Sequence, residues 1–263
     1  MADARNLDGK VAVITGGAGA IGTATARRLA SRGASIAVAD IREAPAFELA
    51  DRLKAEGVAA KAFKVNLVHE EEIQALAAGV IDAFGRIDIL HNNAAINLQD
   101  AEGGDRTLLD VSAKTWDKTF AVNVRGPMLL SKLAVRQMIA QIDGGVGDGG
   151  VIVNTSSGAS QMPDEARIAY AASKAALETL TRYIAAQYGR YNIRCNAILP
   201  GVVLHAGMEA MFSAEQLDAM SARTMLRRPC RPDDIAAMVQ FLVSDDARQI
   251  TGELMRVNGG SRL

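Results

Sequence analysis

Tyr170 and Lys174 stand four residues apart in Tyr-Ala-Ala-Ser-Lys. On an α-helix that spacing sets both side chains on one face. A tyrosine hydroxyl, with an ordinary pKa of about 10, is a poor base near neutral pH. A neighbouring ammonium favours the phenolate, so Lys174 is expected to draw the Tyr170 pKa down and make the pair an acid/base unit. Such pairs also arise by chance on helix surfaces, and a third group separates the two cases. Ser157 lies 13 residues before Tyr170, just past a predicted strand, where a strand end and a helix start bring two hydroxyls together. A hydroxyl so placed can hold a substrate oxygen while charge develops on it. Proton transfer at an alcohol or carbonyl oxygen is the chemistry these three residue types support.

A second group of residues suits a dinucleotide. Thr15-Gly16-Gly17-Ala18-Gly19-Ala20-Ile21-Gly22 follows the first predicted strand and opens a helix. Glycines there allow a tight turn and let backbone N–H groups approach a pyrophosphate at the positive helix end. The second predicted strand ends at Asp40, 24 residues after Gly16. A carboxylate at that place accepts hydrogen bonds from ribose hydroxyls and repels a 2′-phosphate, so NAD is the expected cofactor. The other reading of Asp40 is an ordinary strand-end turn residue.

Positioning these groups requires an alternating framework, and the sequence carries one. Val11–Thr15, Ser35–Asp40, Ala60–Val65, Ile87–Asn92, Val151–Thr155, Ile193–Ile198 and Leu254–Val257 read as strands. Ile21–Arg32, Ala44–Glu56, Glu70–Phe84, Ala113–Ile142, Ala169–Tyr188 and Asp233–Ser244 read as helices between them. This order implies an α/β fold: a Rossmann-type, doubly wound parallel sheet of about seven strands in a single domain, with right-handed crossovers. Two loops, Asn97–Val111 and the glycine-rich Asp143–Gly150, read as solvent-exposed mobile connections.

Composition narrows the function classes. Apolar residues make up 49% of the 263 residues and aromatics only 4%, which suits a parallel sheet cored by aliphatic side chains. A net charge of −1 gives no general attraction to nucleic acid or anionic lipid. No run of apolar residues is long enough to span a membrane, and the start lacks a secretory pattern. Cys195 and Cys230 stand alone, and His69, His91 and His205 are scattered, so no metal site is expected. Lone thiols favour a reduced, cytoplasmic setting.

The motifs together resemble the short-chain dehydrogenase/reductase family, classical type. Its Thr-Gly-x-x-x-Gly-x-Gly turn is matched at Thr15, Gly16 and Gly22, with Ala20 for the middle glycine and Gly19 beside it. One methyl at Ala20 is expected to crowd the phosphates slightly while binding survives. Asn92-Asn93-Ala94-Ala95 resembles the family's Asn-Asn-Ala-Gly, and Asn66-Leu67 its Asp-Val or Asp-Leu pair. Asn123, in Asn-Val-Arg-Gly, completes a tetrad with Ser157, Tyr170 and Lys174. Arg194–Gly201 resembles the Asn-x-x-x-Pro-Gly segment, and the resemblance runs from Leu7 to Gly260.

The resemblance implies a nicotinamide-dependent dehydrogenase or reductase acting on a small-molecule secondary alcohol or ketone. Tyr170 would be the acid/base group and Lys174 would also bond the nicotinamide ribose. Asn123 would hold, through its backbone, a water linking Lys174 to solvent. NAD contacts would come from Gly16, Gly19, Ala20, Ile21 and Gly22 at the pyrophosphate, and Asp40 and Ile41 at the adenosine ribose. Asn66, Leu67, Asn93 and Ala94 would surround the adenosine, with Pro200 and Val203 at the carboxamide beside Tyr170 and Lys174. His205 occupies the expected position of a family threonine, as a replacement donor or a substrate-facing residue. Relatives place a lid here, around residues 204–228, and pair two helices across a two-fold axis, so a homotetramer or dimer is expected. Alanines 171, 172, 175, 176, 185 and 186 would permit that close approach.

Met208, Met211 and Phe212 fall at i, i+3 and i+4, one face of a short helix. As a lid face it favours a bulky apolar, cyclic or aromatic substrate, with Met162 adding to the wall; as an ordinary helix it packs on the core. Other readings compete with this one. An NADP-dependent carbonyl reductase would use Arg42 and Arg28, against Asp40. A non-catalytic dinucleotide sensor has no need of the tetrad, and an enoyl reductase of the superfamily spaces its tyrosine and lysine more widely.

Overall fold

The computed structural model describes residues 7–99 and 103–261. Its strands are β1 (Val11–Thr15), β2 (Ser35–Asp40), β3 (Ala60–Lys64), β4 (Ile89–Asn92), β5 (Gly150–Thr155), β6 (Ile193–Pro200) and β7 (Leu254–Val257). They form one seven-stranded sheet in the order β3-β2-β1-β4-β5-β6-β7, and every pairing is parallel. The β1, β2, β5 and β6 runs are buried almost throughout, as a sheet covered on both faces requires.

Helices α1 (Ala20–Ala30), α2 (Glu43–Ala55), α3 (Glu70–Phe84), α4 (Ala113–Phe120), α5 (Gly126–Asp143) and α6 (Ile168–Tyr188) follow in chain order. Then come α7 (Ala206–Glu209), α8 (Ala214–Ala222) and α9 (Pro232–Val243). Leu29, Leu49, Leu53, Ile235, Val239 and Leu242 of α1, α2 and α9 pack on one sheet face. Ile73, Leu76, Val80, Leu130, Val135, Met138 and Ile184 of α3, α5 and α6 pack on the other. The chain reverses direction across the sheet between β1 and β4, which opens a crevice at the strand ends.

Three expectations are corrected. The long helix expected over 113–142 is present but not regular throughout: Ala121–Arg125 forms a π-helical turn between α4 and α5, and Asn123 sits in it. One inserted residue shifts the helical register without interrupting the apolar periodicity, so the pattern gave no warning. The segment expected as an exposed loop at 97–111 has a buried part: Gly104 and Asp105 are buried, while residues 106–110 face solvent. Finally, Met208, Met211 and Phe212 do not share one helical face. Helix α7 ends at Glu209, Ser213 starts α8 with a capping box, and Met211 is left exposed. No helix among the described residues is long and apolar enough to cross a membrane.

Candidate active site

A crevice of about 510 Å3 opens where β1, β2 and β4 end. The chain between β1 and α1 lies at its base and is built for close approach. A methyl group on Gly22 would fall 2.2 Å from the Gly16 carbonyl oxygen, and one on Gly16 (φ +61°) 2.9 Å from Ala94 Cα. Gly22 is therefore a packing glycine under the turn, while Gly16, Gly19, Ala20 and Ile21 line the crevice. Gly19 caps α1 without any side-chain cap, which leaves first-turn N–H groups for an anion. This turn, its glycine spacing and the crevice fit a dinucleotide.

Asn93 locks the base of the crevice. Its Nδ2 donates to the carbonyls of Thr15 (3.1 Å) and Gly16 (3.2 Å), and its backbone N–H donates to Thr15 Oγ1 at 3.0 Å. On the second strand, Asp40 is 5% exposed and lines the crevice with Ile41. Its carboxylate accepts from the Ala18 N–H at 3.0 Å and the Arg42 N–H at 2.9 Å, bracing the glycine turn. Arg42 Nε lies 3.4 Å from Asp40 Oδ1, and Arg42 also lines the crevice, a contact the sequence reading placed only in a rival scheme. Arg28 instead donates to Gln240 at 2.9 Å and is not among the lining residues. Asn66, Leu67, Ala94 and Val203 line the crevice, and His205 and Met208 lie on its wall. Pro200 ends β6, buried, and is not among those lining residues. Met162 opens instead onto a small crevice beside Gly158 and Arg256.

Tyr170 and Lys174 stand on α6, Ser157 follows the end of β5, and Asn123 lies in the π-helical turn. Asn123 is fully buried. Its Oδ1 accepts from the Ile96 N–H at 2.9 Å, and its Nδ2 donates to the Ile96 carbonyl (3.0 Å) and Ser173 Oγ (3.1 Å). Ile96 lines the crevice, so Asn123 ties the crevice wall to α6. The Ser157 hydroxyl accepts from the Ala159 N–H at 3.2 Å and stands near enough to the Tyr170 phenol to favour its phenolate form. Buried Glu178 fixes the segment that carries Ser157: it accepts from Ser156 Oγ at 2.8 Å and from the Ser160 hydroxyl. That anchor sits one turn beyond Lys174 on the same helix, and the sequence reading missed it.

Lys174 lies under this group with 1% exposure. Its Nζ donates to the Thr155 carbonyl at 2.7 Å and sits 5.6 Å from the centroid of the Tyr170 ring. Burial alone lowers its pKa to about 8. Tyr170 departs from expectation: burial raises its pKa, and the Ser157 hydroxyl and the nearby Arg167 charge oppose that rise. Lys174 is not among the groups that oppose that rise. A phenol held protonated at neutral pH is the form that delivers a proton to a carbonyl oxygen.

A family model described as enoyl-(acyl carrier protein) reductase matches residues 16–262. The D-threitol dehydrogenase of Mycolicibacterium smegmatis is 35% identical over 97% of this chain and 93% of its own. A solved 7α-hydroxysteroid dehydrogenase, complexed with NADH and 7-oxo glycochenodeoxycholic acid, superposes with a TM-score of 0.89. Its identity is 33%, over 99% of this chain and 97% of that one. A blue fluorescent protein from a metagenomic library, in complex with NADPH, gives 0.84 at 32% identity, over 97% and 98% of the two chains. The chain belongs to the short-chain dehydrogenase/reductase family, a family of nicotinamide-dependent oxidoreductases.

Proposed function

We propose that this protein transfers hydride between NAD and an apolar, cyclic or aromatic secondary alcohol and its ketone. The observation that carries the reading is the hydroxyl pair Ser157–Tyr170 standing over buried Lys174, on an α6 tied by Asn123 to the crevice wall. When bound, the nicotinamide gives or takes the hydride. Tyr170 moves the proton at its phenol oxygen, and Ser157 holds the substrate oxygen against it. Lys174 bonds the nicotinamide ribose and passes protons toward solvent through a water held at the Asn123 backbone. The π-helical turn supports that last role, because it loosens the helical hydrogen bonding around Asn123.

Gly16, Gly19, Ala20 and Ile21 receive the pyrophosphate, Asp40 and Ile41 the adenosine ribose, and Asn66, Leu67, Asn93 and Ala94 the adenosine. Val203, beside Pro200, meets the carboxamide. His205 faces the crevice as either a carboxamide donor or a substrate contact. Residues 204–228 form a lid: Met211, Met225 and Leu226 are large, apolar and exposed, a surface that a bulky substrate could cover. In the cell we place the enzyme in the cytoplasm, as a homotetramer or dimer built on α5 and α6. Alanines 171, 172, 175 and 176 are only half-buried, as such an interface needs, whereas Ala185 is spent on the chain's own core.

Arg42 supports a second reading, in which NADP is accepted, since its guanidinium lies beside Asp40 and lines the crevice. One experiment addresses substrate and cofactor together: initial rates of NAD and NADP reduction across a panel of cyclic, aromatic and polyhydroxylated alcohols. Burying one side-chain-sized apolar group gains about 1.5–3 kcal/mol, so cyclic alcohols should exceed polyols by more than tenfold in kcat/KM with NAD. A polyol as best substrate would end the apolar-lid reading, and equal kcat/KM with both cofactors would end the preference for NAD.

A further inference from the structure

Helix α6 begins without a cap of its own. The residue before it, Arg167, is left-handed (φ +67°) and provides no side-chain cap, since a guanidinium has nothing to accept with. First-turn N–H groups of a helix have no partner inside it, and stranding them in a buried place is costly. Ala169 is fully buried. Its N–H nevertheless has a partner: Asp105, 64 residues earlier, accepts it through Oδ1 at 2.7 Å, and accepts the Tyr170 N–H through Oδ2 at 2.7 Å.

Asp105 is itself fully buried and held from both sides. Its N–H donates to the Leu98 carbonyl at 3.1 Å, and its carbonyl accepts from the Arg167 N–H at 3.0 Å. The side chain thus joins the segment leaving β4 to the first turn of α6. Asn123 makes a second strut between the same two places, from Ile96 to Ser173, and Ser173 in turn donates to the Tyr170 carbonyl at 2.7 Å. Tyr170 is therefore gripped at its amide by Asp105 and at its carbonyl through Ser173.

We propose that Asp105 is a positioning residue, which holds the Tyr170 phenol over the reacting oxygen by clamping the first turn of α6. The proposal rests on the reading of Tyr170 as the proton-transfer group. Losing the clamp leaves two N–H groups seeking partners, and the first turn opens to find water. A displacement of about 1 Å at a reacting group can cost on the order of 10²-fold in rate. The dinucleotide crevice, built on β1, β2 and β4, is left as it was.

The test compares wild type with Asp105→Asn, which keeps the shape and one accepting oxygen, and Asp105→Ala, which keeps neither. Three readouts are taken. Hydrogen–deuterium exchange of the Ala169 and Tyr170 amides needs no substrate, and should quicken at least tenfold at both amides in Asp105→Ala and at one of them in Asp105→Asn. With the best alcohol of the panel, Asp105→Asn should lose at least tenfold in kcat while the NADH dissociation constant, from its fluorescence, stays within twofold. In a Tyr170→Phe background the same substitution should change the residual single-turnover rate less than threefold, because the group it positions is gone. Unchanged exchange overturns the proposal, as does a kcat within threefold of wild type, or an equal loss in both backgrounds. If Asp105→Ala fails to fold, Asp105→Asn alone decides. If wild type oxidises no alcohol, the functional reading fails by itself, and the exchange rates still show whether Asp105 clamps Tyr170.

Discussion

Replacing Lys174 by methionine should change how the stability of this protein depends on pH. Methionine matches lysine closely in length and volume, so packing is largely kept. Burial brings the Lys174 pKa from 10.5 down to about 8, which means that the native state resists protonating it. Between those two values the unfolded chain binds the proton and the native chain does not, so native stability rises with pH. Below pH 8 the full penalty applies; above pH 10.5 none remains. At about 1.4 kcal/mol per unit, the penalty at pH 7 is about 3 kcal/mol. The hydrogen bond to Thr155 offsets part of it at every pH where the ammonium exists. The slope, not the value at one pH, is therefore the diagnostic quantity. Denaturant unfolding of wild type and Lys174→Met, from pH 7 to 10.5, should show wild type gaining about 3 kcal/mol on the variant. For a chain of this size that is roughly 6–12 °C in relative Tm. Parallel curves across this window would refute the account of Lys174 as a charge held against burial.

The other predictions concern the sheet and the assembly. His91, on β4, is fully buried with its Nδ1 unpartnered, and burial lowers its pKa from 6.5 to about 3. Stability should thus fall as pH drops below 6.5, and His91→Val should be spared about 3 kcal/mol of that loss at pH 4, measured by urea unfolding; equal acid sensitivity would contradict this. Sedimentation at micromolar concentration should show a dimer or tetramer, and a 27.7 kDa monomer alone would exclude the proposed α5–α6 pairing.

What the sequence made legible was local. The glycine turn and Asp40 at a strand end are set by residues near in the chain, and both line the crevice, whereas Tyr170 and Lys174 are not among its lining residues. Strand β1 and strand β2 fell on the expected residues because buried parallel strands read as short aliphatic runs. The features that escaped depend on distant partners or on a single inserted residue. Asp105 reads as one more polar loop residue until α6 is folded against it, and Glu178 reads as an ordinary helix carboxylate until Ser156 and Ser160 reach it. The π-helical turn leaves the apolar pattern of α4 and α5 intact, so nothing local marks it. The rise in the Tyr170 pKa was equally invisible, because it depends on how deeply the phenol is packed.

The central claim is that Tyr170 transfers the proton, and single-turnover reduction of NAD by the best alcohol of the panel tests it most directly. Tyr170→Phe removes only the hydroxyl, so NADH should bind with a dissociation constant within twofold of wild type. Positioned acid/base groups are worth about 10²–10⁴-fold, and the hydride-transfer rate at neutral pH should fall by at least 100-fold. A fall of less than tenfold, with NADH binding unchanged, would contradict the assignment.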